Sequence, residues 1–463
     1  MKSSTRMRRA PLVALGLAGA LALGACGSST PGESAGETTG DGGSSSDAGS
    51  GDAVTIEFWH RTFTPVENEW YANVVKEFNA AQDKVVVKDT EVPADAWDQK
   101  MKAAQAAGKA PDIYTFAGDV DEAAQAGQFH ELDSLLSSDA LDQLIDAAVP
   151  MAEYDGTFYA YPLLLEPQTV LFWNTDMLEK AGVDTENAPA TWDDLMAACE
   201  KIQPTLSDGQ FCISPAADAV TMAWSTVGQQ YNASGHTALT DDWSAPNIQN
   251  DAYRSLIQFY KDLYDKGYMP KQDLGGYLTA KDYGEGKVAY KVSGSWMMSE
   301  VGSDYSDLLH TTGIGKFPSS PDGDGRTTTT LGNFQWVIDG KAKNPEAAAA
   351  FMEWVLAGDP EVLVPFFVDT QFTKVPVRQA VQDAVAADQA AADAPWSGII
   401  MNDIAPDAHP GVTYPWDVSL AVGTAMESGM KGAESIDGAL DTAAKAIQTI
   451  IEKDDLPSKA PAS

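Results

Sequence analysis

Strand-like and helix-like stretches alternate after position 53, and that alternation confines the chain to few folds. Residues 54–60 (VTIEFWH) have the apolar content of a strand buried in a parallel sheet. Thr64-Pro65-Val66-Glu67 then announces a helix, with threonine at the N-cap, proline at the first helical position and glutamate closing a capping box. Val66, Trp70, Val74 and Phe78 continue it along one face. A second strand begins at residues 85–87, a helix runs through Met101 and Ala104, and a third strand covers 112–116. The pattern predicts an α/β fold with a parallel, doubly wound sheet. The roughly 410 residues after position 52 exceed what one core supports, so two lobes are expected.

Lys2, Arg6, Arg8 and Arg9 precede an apolar run at 11–25, shorter than the ~20 residues a bilayer span needs, so 1–25 reads as a signal peptide. It ends in Leu23-Gly24-Ala25-Cys26, which resembles a bacterial lipobox and implies lipidation of Cys26. Ordinary secretory cleavage beside a stray cysteine is the alternative. Residues 26–52, rich in Gly, Ser, Thr, Asp and Glu, form a tether with an r.m.s. reach of roughly 25 to 30 Å. A formal net charge of -37 argues against nucleic acid and anionic headgroups as partners. No later stretch is apolar enough to cross a membrane, which leaves the lipid as the anchor. Cys199 and Cys212, thirteen positions apart in an exported chain, suit a disulfide. Two buried thiols remain possible on spacing alone.

Residues 283–298 (YGEGKVAYKVSGSWMM) are the stretch to search for a site: a turn, a short strand, then glycine and tryptophan where α/β sheets bind ligands. Gly286 to Trp296 is similar to the "G-x-x-A-M-x-x-x-G-x-W" run of extracellular solute-binding proteins of ABC importers, in the carbohydrate-binding family that includes maltose-binding protein. Tyr290 replaces the usual methionine. Other segments resemble the same family in the same order. Residues 111–119 (PDIYTFAGD) match a segment whose aspartate, here Asp119, faces sugar hydroxyls. Residues 154–166 match a strand pair leading to the hinge, with Glu166 as a second sugar-binding carboxylate. The segment from Trp173-Asn174 to Thr191-Trp192-Asp193-Asp194-Leu195 matches most specifically. Its own physics is a capping box at Thr191 and Asp194, which builds the lobe rather than the site.

The resemblance implies a two-lobed, periplasmic-binding-protein-like fold of type II, each lobe a doubly wound sheet, with a hinge of crossing strands. Residues 53–165 and 333–373 are assigned to lobe 1, 166–332 and 374–455 to lobe 2, and 456–463 to a tail. Residues 331–338 are taken as the strand crossing back, and 374–377 as the final crossing. The expected ligand-binding residues are Trp59, His60, Arg61, Gly118, Asp119, Glu166, Trp224, Gly294, Trp296, Asn333 and Trp416. Indoles offer flat faces to sugar C–H groups, carboxylates accept from hydroxyls, and His60 or Arg61 donates. Trp59 and Trp224 also suit core positions, Asp119 also suits a helix N-cap ahead of Glu122, and Glu166 a solvated hinge charge.

The function implied is capture of a sugar or oligosaccharide and its delivery to ABC permease subunits by a monomer. It would be lipid-anchored on the extracytoplasmic face of the bacterial cell membrane. The histidines lack metal-ligand spacing, and no metal, cofactor or catalytic residue is expected. A non-sugar solute such as a polyamine, a glycoside hydrolase using Asp119 and Glu166, and an adhesion or scaffold protein are the competing readings.

Overall fold

The computed structural model describes residues 53–460 apart from 95, 273 and 275, with only the backbone at 391 and 392. The expected signal peptide, Cys26 and the tether up to 52 lie outside the described residues. In chain order the strands are β1 (Val54–Arg61), β2 (Val85–Val92), β3 (Ile113–Phe116), the hairpin of β4 (Glu153–Tyr154) and β5 (Thr157–Phe158), β6 (Ala160–Pro167), β7 (Val170–Asn174), β8 (Phe211–Ser214), β9 (Val288–Ser293), β10 (Thr312–Lys316), β11 (Leu331–Ile338) and β12 (Val375–Pro376). They build a six-stranded sheet in the order β12-β6-β11-β3-β1-β2 and a four-stranded sheet in the order β10-β7-β9-β8.

Local sequence sets the ends of these elements. At the start of helix Pro65–Ala81, Thr64 donates its amide to the Glu67 carboxylate (3.1 Å), the return bond of a capping box, and its hydroxyl donates to the same carboxylate (2.6 Å). Helix Trp192–Ile202 starts the same way: the Thr191 amide donates to Asp194 (3.1 Å), whose own amide donates to the Thr191 hydroxyl (3.2 Å). The parallel pairing expected from the strand-helix rhythm holds for β1 with β2 and β3, and for β8 with β9. The other pairs are antiparallel: β11 with β3 and with β6, β12 with β6, β7 with β9 and with β10, and β4 with β5.

The chain passes between the sheets at Gln168 and Thr169, and again through 317–330. The passages are bonded to each other: the Gln168 amide donates to the Thr330 carbonyl (2.9 Å) and the Thr169 amide to the Thr329 hydroxyl (2.9 Å). A further passage joins them at His409, whose amide donates to the Thr329 carbonyl (3.0 Å) and whose carbonyl accepts from Leu331 (3.1 Å). The last crossing therefore lies later than the expected 374–377. Val375 and Pro376 pair with Leu165 and Leu164 of the large sheet, and Val381, Val385, Trp396, Ile400 and Ile404 share a core with Ile56 and Phe58. Those apolar side chains pack into the large sheet's core, while the end of the stretch also reaches β10 of the small sheet, where Lys316 Nζ pairs with Asp407 at 2.5 Å. That core also takes in Val170, Phe172, Met297 and Val301 near the small sheet. A second core gathers Leu171, Trp173, Tyr253, Met426 and Ile447, and it includes Leu456, so the expected tail is anchored at its first residue.

Candidate functional site

Strand β9 ends at Ser293, and the next residues turn back so that Trp296 folds over Gly294. A Cβ built on Gly294 would lie 1.8 Å from the indole Cζ3, so only glycine lets the ring take this position. The indole Nε1 donates to the Leu278 carbonyl (3.2 Å), and the Ser295 amide donates to the Pro167 carbonyl at the end of β6 (3.0 Å). Trp224, on helix Ala219–Ser225, lies 6.1 Å from Trp296 between ring centroids, tilted by 42°. The Tyr277 ring meets Trp224 edge-on at 5.4 Å and 88°, while its hydroxyl donates to the Gln168 carbonyl (2.8 Å). Burial pushes that phenol well above its ordinary range, so it stays protonated and keeps donating. Trp224 and Trp296 are both half-buried, and through Tyr277 and Ser295 both are tied to the passage between the sheets.

On the large sheet, alternation along β1 divides the three residues expected at its end. His60 points into the core, 1% exposed, stacked on Tyr71 at 4.3 Å, with Nε2 3.4 Å from Asp89 and Nδ1 3.1 Å from the Arg61 carbonyl. Both ring nitrogens and one face are thus engaged within the protein. Trp59 and Arg61 point the other way. Trp59 packs on a satellite cluster with Tyr114 and Val337, and the Lys100 ammonium lies over its ring at 4.4 Å. The Arg61 guanidinium carbon lies 5.7 Å from the ring centres of both Phe63 and Phe334, and its Nε is buried without a hydrogen-bond partner. Burial lowers its pKa, partly offset by Asp98, Glu166 and Glu67.

Gly118 follows β3 with φ +94°, a conformation that favours glycine, and is fixed to β11. Its amide donates to Asn333 Oδ1 (2.9 Å), and its carbonyl accepts from Asn333 Nδ2 (3.2 Å) and Gln335 Nε2 (2.8 Å). Asn333, 5% exposed, therefore shapes the loop that carries Asp119. One Asp119 oxygen accepts the Asp121 amide (2.8 Å), so the carboxylate does serve the turn ahead of helix Asp121–Gln125. Burial nonetheless pushes its pKa up to about 7, with the Asp121 amide pulling the other way.

Glu166 is 6% exposed and accepts from Lys374 Nζ at 2.8 Å; it is not a solvated hinge charge. Lys374 also lies 3.3 Å from Glu67, the residue that closes the first capping box. Burial would lower the pKa of Lys374, but Glu166 and Glu67 overrule it and hold the ammonium charged.

The structure thus joins Gly118 and Asp119 to Asn333, and Trp224 to Gly294 and Trp296, with both groups meeting the hinge strands β6 and β11. Trp416 is 47% exposed at the head of helix Trp416–Lys431, which packs on the helix of Trp224 so closely that a Cβ on Gly423 would meet the Ala219 carbonyl at 2.2 Å. Cys199 and Cys212 are joined as a disulfide with Cα atoms 5.4 Å apart. Sequence reading missed Tyr277 and Lys374. The aromatic beside Gly276 was a signal for the first, whereas nothing local marks a lysine whose partners are 208 positions away and on another helix.

Residues 73–395 match the family described as bacterial extracellular solute-binding protein. The arabinooligosaccharide-binding protein of Bacillus subtilis is 25% identical over 324 residues, 67% of this chain and 71% of that protein. The maltooligosaccharide ABC transporter solute-binding lipoprotein of Streptococcus pneumoniae is 24% identical over 333 residues, 68% of this chain and 71% of that one. The crystal structure of the cyclic alpha-maltosyl-1,6-maltose binding protein from Arthrobacter globiformis superposes with a TM-score of 0.69 at 25% identity, covering 87% of this chain and 100% of the other. The fold is the two-lobed, periplasmic-binding-protein-like fold expected from the sequence. A family match from 73 to 395, carried by two sheets with passages bonded to one another, makes this chain a member of the bacterial extracellular solute-binding proteins.

Proposed function

We propose that this protein captures a sugar or oligosaccharide outside the cell and delivers it to an ABC transporter permease. The observation that carries the reading is the pair of half-buried indoles, Trp224 and Trp296, braced by Tyr277 against the passage between the sheets. A sugar ring has an apolar C–H face that suits an indole and hydroxyls that need donors and acceptors at its rim. Asp119 supplies an acceptor, the outer nitrogens of Arg61 supply donors, and Gly118 and Asn333 hold the loop that presents Asp119. The printed ligands of the relatives, arabinooligosaccharide and maltooligosaccharide, support the same chemistry. His60 and Glu166 support the site from behind, through Tyr71 and Lys374. A ligand that touches both lobes favours the closed arrangement, and the permease would read that arrangement.

Membrane attachment belongs to the proposal too. Cys26 would carry the lipid, and the streptococcal relative is itself a lipoprotein. Replacing Cys26→Ser should shift the protein from the membrane fraction to the medium.

The test of ligand class is a thermal-shift screen against mono- and oligosaccharides, followed by titration calorimetry on wild type and Trp296→Ala. Loss of the indole should weaken sugar binding more than about tenfold, the ratio that ~1.4 kcal/mol produces. The melting temperature of the unliganded protein should change by only a few degrees. Unfolding of the unliganded variant would make Trp296 a core residue, and an absence of any saccharide shift in wild type would remove the sugar reading.

A further inference from the structure

Four arginines lie among the described residues, and three of them spend their guanidinium nitrogens inside the protein. Arg254 donates to Asp251 (2.8 Å) and Asp437 (2.6 Å), and Arg326 to the carbonyls of Asn232 (2.8 Å) and Asp322 (2.6 Å). Arg378 donates to the carbonyls of Leu356 (3.0 Å) and Gly358 (3.1 Å) and to Gln143 (2.7 Å). The guanidinium of Arg61 makes no hydrogen bond or ion pair among the described residues. Its Nε is buried without a partner, and its two outer nitrogens stay open to solvent.

Arg61 is nonetheless held in place. It ends β1, where the strands of such sheets meet their ligands, and its amide donates to the Thr115 hydroxyl of neighbouring β3 (3.4 Å). The rings of Phe63 and Phe334 each lie 5.7 Å from its guanidinium carbon. Contact between a cation and a ring face fixes position and consumes no N–H donor. Asp98, Glu166 and Glu67 act on the charge through space, but the latter two are bonded to Lys374. Asp119, on the loop after β3, is bonded to the Asp121 amide and not to Arg61. A partly desolvated guanidinium, fixed in place with its donors unspent, is half of an ion pair whose other half comes from outside the protein.

We infer that Arg61 is a specificity-determining residue that binds the carboxylate of a uronic acid unit, so that the saccharide taken by this protein is an acidic one. This rests on the proposed sugar site at Trp224 and Trp296. The planar fork of a guanidinium matches a carboxylate edge to edge. A monoanionic carboxylate fits better than a phosphate ester, because Glu67 and Glu166 act on the same position and repel a dianion more strongly.

The test uses the full-length protein in thermal shift and calorimetry against glucuronic and galacturonic acid and their oligosaccharides, the methyl esters of these, and the corresponding neutral sugars. In wild type at least one acidic saccharide should bind about tenfold or more tightly than its neutral counterpart, and esterification should remove that advantage. Arg61→Met keeps an apolar side chain beside the two rings and should bring the acidic-to-neutral affinity ratio down to about one. Arg61→Lys keeps the charge, loses the fork and should retain part of the ratio. Circular dichroism checks the fold of both variants, and the ester comparison needs no variant. An acidic saccharide that binds wild type no tighter than its neutral or esterified counterpart overturns this inference while leaving the sugar site standing. So does a ratio that survives in Arg61→Met. If no saccharide of either kind binds wild type, the sugar site falls and this inference falls with it.

Discussion

Gly294 lies directly beneath the indole of Trp296, where a single added methyl group would come within 1.8 Å of the ring. Gly294→Ala must therefore displace the indole, together with its bond to the Leu278 carbonyl. The expected outcome is sugar affinity reduced by about tenfold or more and a red shift of tryptophan emission, since a displaced indole meets more water. Calorimetry and fluorescence on the same sample check it. Unchanged affinity would mean that the ring position does not matter to binding.

Lys374 is the one cation within bonding distance of two buried carboxylates, Glu67 and Glu166, among the described residues. Lys374→Met leaves both carboxylates without their counter-charge. Breaking a buried pair in this way costs about 3–5 kcal/mol. Urea denaturation should show that loss, and the double variant Lys374→Met, Glu166→Gln should recover part of it. Equal stability of wild type and Lys374→Met would show that water reaches the carboxylates.

Asp119 gives a pH dependence with a definite sign. Burial lifts its pKa from 3.8 to about 7, so the folded protein holds this proton more tightly than the unfolded chain does. The resulting stabilisation is complete below the unfolded value and is lost as pH rises through the folded one. Asp119→Asn should flatten the fall in melting temperature between about pH 4 and pH 7. Sugar hydroxyls donating to the ionised carboxylate would oppose that proton, so ligand affinity in wild type should rise across the upper part of the same interval. Parallel melting profiles for the two proteins would remove Asp119 as the titrating group.

The Cys199–Cys212 bridge ties helix Trp192–Ile202 to β8, away from the indole pair. The double variant Cys199→Ala, Cys212→Ala should lose up to ~3 kcal/mol of stability. Its sugar affinity should remain as in wild type. A thiol assay on the unreduced, denatured protein should find neither cysteine of the pair free; two reactive thiols would disprove the bridge.

Much of the architecture was readable because it is encoded within a few residues. The capping boxes at Thr64 and Thr191 form as their spacing implies, strand β11 covers the expected 331–338, and Gly294 with Trp296 marked the indole before any neighbour was known. The readings that shifted depend on partners remote in sequence. Trp59, His60 and Arg61 all stood as ligand candidates, Trp59 suiting the core as well, yet adjacent strand residues must point to opposite faces, and only the sheet's packing decided that His60 faces Tyr71. Glu166 was open to two roles until Lys374, 208 positions later, closed on it.

The chain's own order of residues determined its local elements, its acidic character and the candidate aromatic and acidic groups, since capping, periodicity and charge act over short distances. Only the tertiary structure decided which of those groups are satisfied inside the protein and which remain accessible. That division depends on which strands pair and which helices cover them, and the late passage at His409 shows that such pairing is a collective result of burying whole faces at once.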